Sequence, residues 1–201
     1  MRAQFHPALL GTATLFVVAV AGCSGKSDEA EKAFKSGLAD ARKGDLDQAI
    51  ADFTQAIRLR PNYTEAYYVR GIAYGQKGEY NNAIIDFTAA IRLDPQDFKA
   101  YFNRGSAYGK KGDWDKTIAD LTAGVRLNPN FAEAYSSRGT AYGNKGDLDQ
   151  AIADFTEAIR VEPKIAIAYH NRAVAYARMG RKLRAGADSA EARRLGYAGK
   201  P

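Results

Sequence analysis

The stretch "GDLDQAIADFTQAIR", Gly44 to Arg58, returns as "GDLDQAIADFTEAIR", Gly146 to Arg160, with one change, Gln55 to Glu157. The copies lie 102 residues apart, three steps of 34, and the intermediate steps are occupied by "GEYNNAIIDFTAAIR" (Gly78 to Arg92) and "GDWDKTIADLTAGVR" (Gly112 to Arg126). The preceding segment repeats too: "AYYVRGIAYGQKG" from Ala66, "AYFNRGSAYGKKG" from Ala100, "AYSSRGTAYGNKG" from Ala134 and "AYHNRAVAYARMG" from Ala168. A weaker version joins at the front when Ala33 is set against Tyr67, which brings Phe34, Gly37, Ala39 and Gly44 into register. A fixed period of this length marks a stacked-repeat architecture.

Each unit reads as two helices. Tyr67, Gly71 and Tyr74 recur at three- and four-residue spacing, which makes one apolar helix face. Gly78 ends that helix, and Asn81, like Asp47, Asp115 and Asp149, is placed to cap the next. Ala83, Phe87 and Ala90 form the second stripe, and Pro95 marks the exit.

This pattern resembles the tetratricopeptide repeat family, whose unit carries an aromatic, Gly, aromatic, Ala, aromatic, Ala and Pro in that order. Tyr67, Gly71, Tyr74, Ala83, Phe87, Ala90 and Pro95 match it, as do Tyr135, Gly139, Tyr142, Ala151, Phe155, Ala158 and Pro163. Tyr101, Gly105, Tyr108, Thr117, Leu121, Gly124 and Pro129 match with three lapses. The outer units drift, with Ala33 and Asp40 in place of aromatics in the first, and Ala173 for Gly and Ser189 for Phe in the last, as terminal repeats do. The resemblance implies an all-α, right-handed superhelical solenoid of about five antiparallel helix pairs. Expected units are 30–63, 64–97, 98–131, 132–165 and 166–197, followed by a C-terminal tail at 198–201.

Ahead of the repeats, Arg2 precedes the apolar run "ALLGTATLFVVAV" (Ala8 to Val20) and then "AGCSG". This is a signal-peptide layout, expected over residues 1–22, and too short for a comfortable membrane span. "VAGC", Val20 to Cys23, resembles the lipobox of bacterial lipoproteins, which implies that Cys23 is lipidated and holds the chain to a membrane. A conventional cleaved leader with an incidental Cys and an uncleaved anchor are the competing readings. Residues 23–29 then read as the lipidated Cys and a short tether, whose "SGKSDE" spans about 20 Å fully stretched. Ser24 resembles outer-membrane sorting in Gram-negative lipoproteins; the inner membrane and a Gram-positive surface stay open. The expected location is the envelope, on the periplasmic face of the outer membrane in a Gram-negative cell.

Net charge is +6 and concentrated at one end: residues 164–201 hold nine Lys/Arg against Asp188 and Glu191. That end suits an acidic partner, an anionic membrane surface, or simply a solvated cap. Cys23 is the single cysteine, so an intramolecular disulfide is excluded, and His170 is the single histidine beyond the leader, where it reads as a groove-facing surface residue. "GDLDQ" and "GDWDK" lack the rest of a calcium loop, and "RGIAYG" lacks the strand, helix and Lys of a phosphate loop. No catalytic residues, metal, cofactor, small-molecule substrate or nucleic acid are expected.

Arg70, Arg104, Arg138 and Arg172 hold the same place in four units, and Asp52, Asp86, Asp120, Asp154 and Asp188 recur in all five. They predict an Arg–Asp ladder, within a unit or between units. The resemblance further implies a concave face lined by the first helices, at Tyr68, Ile72, Gln76, Lys99, Phe102, Ser106, Lys110, Ser136, Thr140, Asn144, His170, Val174 and Arg178. The carboxylate clamp of co-chaperone members is not expected, because Phe34 and Leu38 stand at its positions. The functional expectation is a non-enzymatic envelope scaffold that binds a protein partner's peptide or helix. A self-associating structural lipoprotein and an enzyme with an unrecognised site are the alternatives.

Overall fold

The structure, a computed structural model, describes the backbone of residues 13–198 and the side chains from residue 25 onward. The start of the expected leader, the side chain of Cys23 and residues 199–201 of the tail lie outside the described residues. Ten helices and no strand occur among the described residues: α1 (Ala13–Lys43), α2 (Leu46–Leu59), α3 (Thr64–Gln76), α4 (Tyr80–Leu93), α5 (Phe98–Lys110), α6 (Trp114–Leu127), α7 (Ala132–Lys145), α8 (Leu148–Val161), α9 (Ala166–Arg178) and α10 (Lys182–Arg194). None of them is long and apolar enough to cross a membrane. Residues 24–29, expected as a short tether, lie inside α1, where six residues rise about 9 Å.

The chain divides into two compact units, Met1–Ala66 and Tyr67–Pro201. In the first, α1 packs along α2. Its core joins Ala30, Ala56, Tyr63 and Ala66, with Phe34 against both Phe53 and Tyr63 at ring distances of 5.8 and 4.8 Å. In the second, successive helices alternate down a stack, with α5 on α6, α7 on α8 and α9 on α10, and α4, α6 and α8 meeting α5, α7 and α9 in turn. The core is therefore a seam of small clusters, as nearest-neighbour stacking requires.

Small residues set the close approach within each pair. A Cβ on Gly71 would sit 2.8 Å from Phe87 Cε1, and one on Gly139 would sit 2.9 Å from Phe155 Cε1. The rings are almost fully buried, and each such burial stabilises the fold by about 2–3 kcal/mol. Where Leu121 replaces the Phe, the contact above Gly105 relaxes to 3.3 Å. In the last repeat Ser189 leaves more room, and Ala173 takes the glycine's place and is buried. The two departures at that end compensate each other.

Each first helix stops at a glycine in the left-handed region, with φ of 86° at Gly44, 79° at Gly78, 78° at Gly112, 90° at Gly146 and 73° at Gly180. The next amide reaches back to close the turn, as Asp113 N to Tyr108 O at 3.0 Å. The caps of the second helices differ from expectation by two residues. Asp45, Asp113 and Asp147 accept from the backbone N–H groups of Gln48, Lys116 and Gln150, while Asp47, Asp115 and Asp149 lie in the first turn. The short glycine turn starts the second helix immediately, so the first acidic residue is the cap.

Candidate functional site

Four guanidinium–carboxylate pairs run down the second unit. Arg70 donates from Nε to Asp86 Oδ2 at 2.8 Å and from Nη2 to Oδ1 at 2.7 Å. Arg104 with Asp120 and Arg138 with Asp154 repeat those distances, and Arg172 pairs with Asp188 at 2.7 and 2.8 Å. All four carboxylates are buried, and the guanidinium carbons sit 5.6–5.7 Å from the rings of Tyr67, Tyr101, Tyr135 and Tyr169. The bonds to Asp120, Asp154 and Asp188 raise the pKa of Arg104, Arg138 and Arg172 against the opposing effect of burial. At Arg70 burial is the larger influence, and the Asp86 pair still leaves a net rise.

The third guanidinium nitrogen makes a contact that the sequence pattern did not suggest. Nη1 of Arg104, Arg138 and Arg172 donates to the hydroxyls of Thr88, Thr122 and Thr156, at 3.1, 3.0 and 3.0 Å, each in the preceding repeat. Every one of these arginines thus binds its own hairpin and staples it to the one before. Threonine recurs at that place at residues 54, 88, 122 and 156, and this was the legible signal. For Asp52 the place that matches Arg70 holds Ser36, and its carboxylate accepts from Gln48 Nε2 at 2.9 Å. A cleft of about 310 Å³ lined by Ala33, Ser36, Asp52 and Gln55 occupies the corresponding place. A second series links the exposed edge: Lys111 donates to Asn81, Lys145 pairs with Asp115, and Arg181 lies 3.8 Å from Asp149.

The residues expected on the concave face divide into three groups. Thr140, Asn144 and Arg178 converge with Val174 around a cleft of about 140 Å³ between α7 and α9. Its floor is Leu148, Phe155 and Ala175, and Asn171 joins the rim. Arg178 Nη1 donates to Gly143 O at 2.8 Å and Asn171 Nδ2 to Thr140 Oγ1 at 3.3 Å, so the two walls are tied together. Gly143 carries no side chain to fill this space, which leaves the floor open.

A second group is already engaged in the fold. Tyr68 and Ile72 belong to the cluster around Phe87, with Tyr68 edge-on to that ring at 5.9 Å and its hydroxyl accepting from Asn103 Nδ2 at 2.9 Å. Burial raises the Tyr68 pKa. Phe102 packs on Phe131 at 4.8 Å. His170 stacks on Tyr197 at 4.2 Å and is half-buried rather than free. Ser136, expected on the concave face, is instead buried in the close packing of α7, with 6% of its surface exposed. The third group, Gln76, Lys99, Ser106 and Lys110, lies outside the cleft; Gln76 and both lysines are exposed and Ser106 is half-buried.

Among the described residues no group of three or more His, Cys, Asp or Glu is arranged to hold a metal ion. The cleft is well below the roughly 300–1,000 Å³ of small-molecule sites, and its apolar floor under a polar rim suits one side chain of a larger partner.

Models of the TPR repeat match residues 37–78 and 74–112, and models of the tetratricopeptide repeat match 98–131 and 132–165. No curated protein sequence matches the chain. Among solved structures, a MamA crystal structure is 28% identical, with a TM-score of 0.76 over 79% of this chain and 93% of that one. MamA from Desulfovibrio magneticus RS-1 (residues 41 to the end) is 22% identical, with a TM-score of 0.80 over 87% of this chain and 98% of that one. YrrB, described as a TPR protein with an unusual peptide-binding site, is 24% identical, with a TM-score of 0.74 over 93% and 95% of the two chains. The repeat models span more than half of the sequence, their register is that of the helical hairpins, and the chain belongs to the tetratricopeptide repeat family.

Proposed function

We propose that this chain is a non-enzymatic adaptor of the bacterial cell envelope, held to a membrane by lipid on Cys23, that takes a peptide or helix of a protein partner on its concave face. The observation that carries the binding reading is the α7–α9 cleft. Thr140, Asn144, Asn171 and Arg178 offer a rim of hydrogen-bonding groups above Leu148, Phe155 and Ala175. Val174, 45% exposed, is an apolar group at its edge with no core role. An anchor side chain would enter the floor while the amides meet the partner's backbone, the division of labour seen in peptide grooves. The peptide-binding site in the description of YrrB supports the same mode of use. The permanently paired ladder arginines supply rigidity rather than acid–base chemistry. The lipobox-like "VAGC" and the apolar run before it support export and anchoring.

The test is site-specific photo-crosslinking in the native envelope. A photoreactive residue in place of Val174 is expected to capture a defined partner, and one in place of Ile85, 65% exposed on the second helix α4, is expected not to. Loss of the Val174 adduct in an Asn144→Ala/Arg178→Ala variant completes the assignment. Capture from Ile85 alone would move the binding surface off the concave face. Labelling with a radioactive fatty acid, present in the wild type and absent in Cys23→Ala, tests the anchor separately.

A further inference from the structure

The start of the last second helix breaks the pattern of the four before it. The residue that opens this helix is Asp45, Glu79, Asp113 or Asp147 in the earlier repeats, acidic in each, and Arg181 in the last. The next position holds Leu46, Tyr80, Trp114 and Leu148, all half-buried, and then Lys182, which is exposed. The third holds Asp47, Asn81, Asp115 and Asp149, which point outward, and then Leu183. The apolar residue has slipped by one place. Instead of packing inward as Leu148 does, Leu183 stands 93% exposed, more than any other large hydrophobic side chain described. Arg184 follows it, and Arg178 lies one turn earlier on α9.

Helix stability does not explain this arrangement. The N-terminal end of a helix carries partial positive charge, so Arg181, Lys182 and Arg184 are placed where the backbone repels them. Their own contacts are slight: Arg181 is 3.8 Å from Asp149, and the Arg184 guanidinium rests 5.6 Å from the Tyr176 ring. We propose that the α9–α10 turn docks on an anionic phospholipid bilayer, with Leu183 entering the boundary between headgroups and acyl chains while Arg181, Lys182 and Arg184 meet the lipid phosphates. A leucine flanked on both sides by cations matches a layer of anionic charge over hydrocarbon. An acidic polypeptide would satisfy the cations and leave Leu183 in water. The proposal is independent of the concave-face reading, since the turn lies outside the α7–α9 cleft apart from Arg178.

The test uses the full chain with Cys23→Ser and Leu183→Cys, which leaves one thiol for an environment-sensitive fluorophore. Its emission is expected to shift to the blue with vesicles of phosphatidylglycerol mixed with phosphatidylcholine, and not with phosphatidylcholine alone. Salt at about 1 M, where the screening length is about 3 Å, should abolish the shift. Each charge reversal in the series Arg181→Asp, Lys182→Glu and Arg184→Glu, a change of two charge units, should weaken vesicle affinity by about 30-fold. Arg181→Asp writes in the residue of the other repeats, and all three substitutions place negative charge at the positive end of the helix, so unchanged helical circular dichroism is expected. The absence of a shift with the anionic vesicles overturns the proposal. So does an equal shift with both vesicle types, which would report the apolar N-terminal run. Polyglutamate binding, read as a rise in the anisotropy of the label, with no blue shift on the anionic vesicles overturns it as well, and assigns the turn to an acidic protein.

Discussion

Arg138 and Asp154 meet through two parallel hydrogen bonds of 2.8 and 2.7 Å, with the carboxylate buried and the third guanidinium nitrogen on Thr122. Removing one partner leaves a buried charge without its counterpart. Arg138→Met is expected to destabilise the protein by about 2–4 kcal/mol, and the double variant Arg138→Met/Asp154→Leu by much less. Urea unfolding of the single and double variants checks this. A double variant no better than the sum of its parts would show that the pair is not coupled.

The first repeat offers the converse experiment. Ser36→Arg combined with Ala33→Tyr writes the pattern of the other repeats into α1, beside Asp52 and the cleft of about 310 Å³. The new guanidinium is expected to displace Gln48 from Asp52 and to stabilise the first unit by about 1 kcal/mol. Slower hydrogen exchange of the α2 amides is the direct readout, and unchanged exchange would mean that Asp52 is out of reach.

Two glycines four residues apart in α3 should respond in opposite directions. Gly71→Ala drives a methyl to within 2.8 Å of the Phe87 ring and is expected to destabilise by about 1–3 kcal/mol. Gly75→Ala meets nothing within 4 Å and is expected to stabilise by about 0.5–1 kcal/mol through helix propensity. The chain already has alanine at the matching places, Ala41 and Ala177. Thermal unfolding of the two variants side by side decides the matter.

Tyr63 donates its phenolic hydrogen to Glu31 Oε2 at 2.7 Å, and its pKa is pushed up to about 12 by burial and by that bond. The unfolded chain gives up this proton near the ordinary value of 10.0, so between pH 10 and 12 the folded state holds it more tightly. The contribution to stability is complete below pH 10 and is lost as pH rises through the window, at a slope of at most about 1.4 kcal/mol per pH unit. Tyr63→Phe should be less stable below pH 10 and should narrow its gap to the wild type above it. Parallel stability curves would mean that the hydroxyl does not hold its proton in this way.

The helical hairpins and their register were legible because Gly71, Phe87 and their counterparts must touch, and contact writes itself into spacing. The Arg–Asp pairs were legible for the same reason. The first-turn acids misled because Asp45 and Asp47 are chemically identical, and only the tight turn at Gly44 makes the earlier one the cap. Ser136 and Thr140 lie one helical turn apart on α7, yet one is buried and the other exposed. That difference comes from how deeply α7 sits among its neighbours, which no property of either residue encodes. The role of Thr122 needed three dimensions, since its partner lies in another repeat.

In the second unit the spacings of the arginine contacts are symmetric. Arg104 reaches Thr88, 16 residues back, and Asp120, 16 residues ahead, and Arg138 and Arg172 do the same with their own neighbours. Insertion or loss of a whole 34-residue block within this run leaves every remaining arginine with both partners, while a change in length between an arginine and its aspartate strands a buried carboxylate. Within this run, changes in length by whole steps are the ones that keep the stack intact. The near-identical stretches at Gly44–Arg58 and Gly146–Arg160, 102 residues apart, would give three such steps at once by unequal recombination.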